Sequence, residues 1–308
     1  MLLKRRQFLT GSIAAASTLS LAGGALAQSS ASTLITKQVP STGERLPVIG
    51  FGTNRYGTGS DSEIRATLLE TLSLFKEQGG TLLDTSSHYR GSEGVLGGLL
   101  AELNFNDTAF LSTKAGQFDE GTLDAKLNNS LALLGTRQID LYQVHNVVFQ
   151  DWVSMLPVLQ EQKQDGKIRY LGITGSEDTE HEQIVQIMRT QPLDFIQINY
   201  HVANRHAENE ILPLARELGI AVVGNVPFGQ GSLFTAVEGV ELPEFAKEFG
   251  CQSWGNFFLK YNVSHPDVIA SIPGTSKPHH ALDNLHAATG RLPTPAERIM
   301  QEDFMAAL

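Results

Sequence analysis

Ile139-Asp140-Leu141-Tyr142-Gln143-Val144-His145 is a short, mostly apolar run that ends on a reactive side chain. Ile220-Ala221-Val222-Val223 has the same unbroken character. Such runs, apolar on both faces, are typical of parallel strands covered by helices on each side. Working outward, the same unit recurs at residues 48–52, 81–85, 109–114, 169–174, 194–198 and 267–272, and the opening runs extend over 139–144 and 220–226. Amphipathic stretches lie between them. Residues 62–78 set Ile64, Leu68, Leu72 and Phe75 on one helical face, and residues 123–134 do the same with Leu123, Leu127, Leu131 and Leu134. Residues 153–164, 179–189, 207–218, 242–261 and 279–288 continue the alternation. Eight strand–helix units predict a closed (β/α)8 TIM barrel rather than an open sheet.

Two pieces frame the barrel. Residues 34–39 and 45–47 flank Pro40-Ser41-Thr42-Gly43-Glu44 and read as an N-terminal β-hairpin over the barrel bottom. Thr294-Pro295-Ala296-Glu297 is a capping box with proline at the first helical position, opening a C-terminal helix to residue 306. With 308 residues, 41% of them apolar, one barrel accounts for the chain. No linker or second domain is expected.

The first residues read differently. Lys4-Arg5-Arg6-Gln7-Phe8-Leu9 precedes a weakly apolar run over 13–26 and the small-x-small site Ala25-Leu26-Ala27. Basic, apolar and processing regions in that order are a secretory leader. The run is too short and too rich in Ala, Ser and Gly to anchor in a bilayer. The pair Arg5-Arg6 with Phe8-Leu9 resembles the twin-arginine signal, which implies export of an already folded protein. The expectation is a leader over 1–27, a barrel over 28–308, contact with the twin-arginine machinery, and an exported, periplasmic product with no membrane attachment after cleavage.

The formal net charge is −10, and the leader contributes three basic residues and no acidic one. Such a surface repels nucleic acid and anionic lipid. The single cysteine, Cys251, excludes an intrachain disulfide and reads as a buried apolar residue. Oligomeric state is not legible.

A barrel of this kind gathers its chemistry at the C-terminal ends of the strands. The second strand ends in Asp84-Thr85-Ser86 and its loop carries His88-Tyr89; the third ends in Ser112-Thr113-Lys114; the fourth delivers His145. Each has a bland reading: a cap, a packing ring, a satisfied core histidine. Lys114 closing an apolar strand is the odd one, because burying its charge is costly without a partner. Together the four suit proton donation to a carbonyl oxygen. A phenol titrates near pH 10, and a neighbouring ammonium lowers that value. Lys114 would be that ammonium, Asp84 its anchor, and His145 would orient the carbonyl. No side chain here is a reductant, so hydride must come from a cofactor.

With these residues in view, the chain resembles an aldo-keto reductase. The resemblance runs over residues 46–288 and rests on Gly50-Phe51-Gly52-Thr53, Asp84-Thr85-Ser86-Ser87-His88-Tyr89-Arg90-Gly91-Ser92-Glu93, Ser112-Thr113-Lys114, Asp140 to His145, Gly166 to Ile173 and Ile272-Pro273-Gly274-Thr275. It implies reduction of small aldehydes or ketones, with Tyr89 as general acid and Asp84, Lys114 and His145 completing a catalytic tetrad. It also implies a nicotinamide cofactor, NADP(H) ahead of NAD(H), with contacts from Gly52, Thr53, Asn54 and Asp84 at one side of the mouth. The family's Ser-Asn pair after the fifth strand becomes Thr174 and Gly175 here, while Gln197 matches. Asn225 stands where an aromatic ring usually stacks on the nicotinamide; either nearby Phe228 substitutes for it or the stack is absent. Pro227, Gly229, Gly231, Ser232 and Leu233 form a small-residue loop whose N–H groups suit a pyrophosphate. Gly274, Thr275, Ser276, Lys277 and His280 are expected on the adenosine phosphate, and Asp283 and Asn284 on the adenine. No metal is expected.

Three other readings compete. A Schiff-base lyase would use Lys114 as nucleophile. A metal hydrolase would need paired histidines at a strand end, and none of the nine is so placed. A non-catalytic cofactor-binding protein or redox sensor would share the fold and the cofactor contacts without turnover.

Overall fold

In a computed structural model the described residues are 33–59, 61–116 and 122–308. The expected leader over 1–27 and its cleavage site lie outside them. The apolar runs form eight parallel strands in consecutive order: β3 (Phe51–Gly52), β4 (Leu82–Asp84), β5 (Phe110–Ala115), β6 (Ile139–Val144), β7 (Ile168–Thr174), β8 (Phe195–Asn199), β9 (Ala221–Asn225) and β10 (Val268–Ser271). The bridges Ile49–Ser271 and Gly52–Gly274 join the last strand to the first. The barrel is therefore closed, and its own sheet has no free edge. The preceding hairpin, β1 (Thr36–Gln38) and β2 (Arg45–Pro47), pairs antiparallel. Its Val39 and Leu46 are buried with Leu82, Phe110, Leu141, Tyr170 and Phe195 in an inner core, so the hairpin plugs the bottom as its sequence suggested.

Helices cover the barrel: α1 (Ser62–Glu77), α2 (Ser92–Glu102), α3 (Leu123–Leu134), α4 (Trp152–Gln164), α5 (His181–Thr190), α6 (Ile211–Leu218), α7 (Ser232–Ala236), α8 (Glu244–Glu248), α9 (Trp254–Ser264), α10 (Pro278–His286) and α11 (Pro295–Ala306). Their inner faces and the outward faces of the strands make the larger core. The capping box at Thr294 and Glu297 is present in full. Arg298 of α11 inserts beneath Tyr200 and over the ring of Tyr261, which ties the last helix to β8 and α9.

Two helical expectations need correction. Residues 242–261 are not one helix. Gly250, at φ +81°, turns the chain between α8 and α9, and a left-handed residue ends a helix. The stretch Ser92–Glu102, of which only Ser92 and Glu93 entered above as the end of a motif, is helix α2. No described helix is long and apolar enough to cross a membrane. Cys251 is buried, as expected, and burial pushes its thiol up to about 12.

Candidate active site

The ends of β4, β5 and β6 are hydrogen-bonded neighbours, so register alone brings their terminal side chains together. Lys114 Nζ donates to Asp84 Oδ2 at 2.5 Å and to the Thr85 carbonyl at 2.8 Å. Both charged groups are buried. Burial pulls the ammonium toward neutrality, but Asp84, with Tyr89 and Glu93 behind it, outweighs burial and holds the pKa of Lys114 above its ordinary value. A lysine tied to Asp84 in a buried ion pair is a poor Schiff-base nucleophile, which speaks against the lyase reading.

Asp84 is itself pinned. Its Oδ1 accepts from Ser112 Oγ at 2.7 Å and from Gln197 Nε2 at 3.0 Å, and Gln143 Nε2 backs Ser112 at 3.1 Å. A carboxylate with both oxygens occupied cannot swing away from the ammonium. The sequence named Ser112 and Gln143 only as parts of motifs; their role depends on contacts across β4, β5, β6 and β8.

Tyr89 is half-buried above this pair, with the Lys114 nitrogen 5.4 Å from its ring centre. His145 stands edge-on to the Tyr89 ring, centres 5.7 Å apart. Burial raises the Tyr89 pKa, Lys114 pulls it back, and Asp84 pushes with burial. The net shift is upward, so the expectation of a phenol made more acidic than usual is corrected: the ammonium acts in the foreseen direction, but burial outweighs it. Tyr89 is thus protonated at neutral pH, which is the state an acid needs. Burial, then Lys114 and His88, depress His145 to about 3, so it is a neutral imidazole there. His88, exposed and 6.1 Å from His145 between ring centres, is a further group at this rim.

Of the residues assigned to a cofactor, Asp84 ends β4, most of the others end or follow β3 and β7 to β10, and His280, Asp283 and Asn284 lie on α10. Thr53 is buried and bonded to the Asp84 carbonyl, and Asn54 lies beside Gly274. The Thr174 hydroxyl is engaged by Asn146, accepting from its N–H at 2.8 Å. A Cβ at Gly175 would sit 2.7 Å from Glu180 Oε2 and Ile184 Cδ1, so those side-chain ends would have to shift to admit one. Asn225 donates to the Gly175 carbonyl at 2.9 Å, while its Oδ1 is buried without a partner. The Phe228 ring packs against Phe234 and Phe258, and Pro227 and Leu233 are buried.

The loop after β9 departs from expectation. Gly229, Gly231 and Ser232 turn their N–H groups inward, onto Val226, Phe228 and Gly229 carbonyls, and Leu233 points its own at Phe228. Those groups do not stand free for a pyrophosphate. Val226, Gly229, Gln230 and Gly231 all have positive φ. For a β-branched residue such as Val226 this is strain, which persists only where surroundings impose it. At the far side Asn284 donates to Thr275 Oγ1, and the Asp283 carboxylate is held by Ser253 and Asn256. Ser276 is half-buried, and Gly274, Lys277 and His280 are exposed at the start of α10. No cluster of three or more metal-ligating side chains occurs among the described residues.

Residues 48–300 match the family model described as the aldo/keto reductase family. The chain belongs to that family. Membership makes it an oxidoreductase. Its relatives include an L-galactose dehydrogenase of Arabidopsis thaliana, 25% identical over 81% of this chain and 86% of that one. An NADH-specific methylglyoxal reductase of Escherichia coli (strain K12) is 26% identical over 86% and 98%. Among solved structures, an aldo/keto reductase from Klebsiella pneumoniae in complex with NADP and acetate has a TM-score of 0.70 at 21% identity, covering 85% of this chain and 93% of that one. A glycerol dehydrogenase from Gluconobacter oxydans has a TM-score of 0.72 at 22% identity, covering 88% and 95%. At these identities the structural likeness speaks for the (β/α)8 fold alone.

Proposed function

We propose that this aldo/keto reductase family member reduces small aldehydes or ketones to alcohols with NADP(H). The observation that carries the reading is the buried Lys114–Asp84 pair lying beneath a protonated Tyr89 and beside a neutral His145. Tyr89 gives its proton to the carbonyl oxygen, and Lys114 stabilises the phenolate that remains. His145 holds the oxygen by a hydrogen bond without carrying charge.

The cofactor supplies hydride when bound. Asn225 Oδ1, a buried acceptor without a partner, suits the amide N–H of a nicotinamide. Lys277 and His280 on α10, with Ser276 and Thr275, suit the extra phosphate that separates NADP from NAD, and solved relatives hold NADP or NADPH. A methylglyoxal reductase among the relatives is NADH-specific, so the two cofactors must be compared directly.

The test is loss of the near-ultraviolet absorbance of NADPH on adding methylglyoxal or another small aldehyde. Turnover is expected in the native protein. Tyr89→Phe should lower kcat at least a hundredfold, the usual worth of a positioned acid, while NADPH still binds. A Tyr89→Phe protein with full turnover would remove Tyr89 from the acid role. The leader over 1–27 supports a further proposal, that the folded protein leaves by the twin-arginine route and works outside the cytoplasm.

A further inference from the structure

Ser86 lies two residues beyond Asp84, wholly buried at the end of β4. Its hydroxyl has two polar neighbours. The His88 backbone N–H approaches Ser86 Oγ at 3.2 Å, and His145 Nδ1 lies 3.1 Å away. The first neighbour is a donor and nothing else, so it takes a lone pair of the oxygen. The hydroxyl proton then has one acceptor within reach, the Nδ1 lone pair.

We infer that Ser86 fixes His145 as the tautomer with its proton on Nε2, and that it is a positioning residue for the carbonyl reduction proposed above, on which this role rests. A neutral imidazole carries a single N–H, and the hydrogen bond at one ring nitrogen decides which atom has it. With Nδ1 accepting, Nε2 at the distal edge of the ring becomes the donor. A substrate oxygen at the mouth then meets two donors, the Tyr89 hydroxyl and His145 Nε2–H. The other tautomer would leave the buried Ser86 proton without an acceptor. It would also turn a lone pair toward the substrate oxygen, which repels it. Because burial keeps His145 neutral down to about pH 3, imidazolium does not form in the working range, and the choice of tautomer alone sets the polarity of this group. His145 holds the oxygen and keeps its proton; the proton delivered comes from Tyr89.

The experiment reads the tautomer directly. Isotopic nitrogen labelling of histidine, with His145→Gln to assign the signals, reports the two ring nitrogens in the whole protein with no substrate or cofactor added. The native protein should show an unprotonated Nδ1 and a protonated Nε2. Ser86→Ala should show both tautomers exchanging, and Ser86→Thr, which keeps the hydroxyl, should restore the native pattern. In parallel, kcat of Ser86→Ala should fall about tenfold with KM little changed, the scale of one mis-set hydrogen bond. A native spectrum with the proton on Nδ1, or a Ser86→Ala spectrum identical to the native one, overturns the inference. Since the spectrum needs no turnover, a native Nε2–H tautomer in a protein that reduces no carbonyl would uphold the Ser86 contact and reject the carbonyl-reductase reading instead.

Discussion

Lys114 and Asp84 are two full charges inside a closed sheet, and each is tolerable only because of the other. Lys114→Met would leave the Asp84 carboxylate buried with hydrogen-bond donors but no cation. Breaking such a pair from one side costs about 3–5 kcal/mol, so a urea titration should show a large fall in the unfolding midpoint. Lys114→Met with Asp84→Asn removes both charges and should recover much of that loss. A single variant as stable as the native protein would mean the two groups do not pair. The four reactive residues and their pairing were legible, because each sits at the end of a recognisable strand. Their supports were not. Ser112, Gln143 and Ser86 act through contacts set by strand register, and nothing in their own neighbourhood of sequence announces a partner on another strand. Local sequence also could not weigh burial against the Lys114 charge at Tyr89, since burial is a property of the assembled mouth.

Helix α2 was the element hardest to read. Gly94, Gly97 and Gly98 lie within it, and glycine is a poor helix former. The structure supplies the reason for one of them. A Cβ at Gly97 would fall 2.0 Å from the Leu133 carbonyl oxygen and 2.9 Å from the Leu134 Cα. The small residue lets α2 pack directly on the backbone at the end of α3. Gly97→Ala should therefore destabilise the fold despite its better helix propensity, by about 1–3 kcal/mol, the usual cost of overpacking. Thermal unfolding checks this, and an unchanged or raised Tm would show that the two helices can move apart freely. By contrast α1, α3 and α11 were legible because their apolar spacing or capping residues are strong local signals. Residues 242–261 misled because their apolar spacing runs on across a turn that only Gly250 marks.

For the molecule as a whole, the acidic balance, the lone buried cysteine and the closed barrel describe a protein that needs no intrachain disulfide and whose barrel sheet has no open edge. Under the proposed twin-arginine export, such a protein would complete its core and take up a cofactor before crossing the membrane. On the proposed export route, replacing Arg5 and Arg6 together by lysine should hold the precursor in the cytoplasm, folded and active, while the native sequence should send a shortened protein outward. Fractionation followed by immunoblotting distinguishes the two. Continued export of the lysine variant would argue for the general secretory route.

The order of the eight strands, the barrel, its hairpin and last helix, and the placing of the four reactive side chains at strand ends were determined by sequence alone, because each is written in local periodicity or in residue type at a strand end. Tertiary structure decided the rest: that the phenol is held protonated, that Thr174 and the loop after β9 spend their hydrogen bonds internally, and that Ser86 faces His145. Those outcomes depend on desolvation and on contacts between distant strands, and both exist only once the chain has closed on itself.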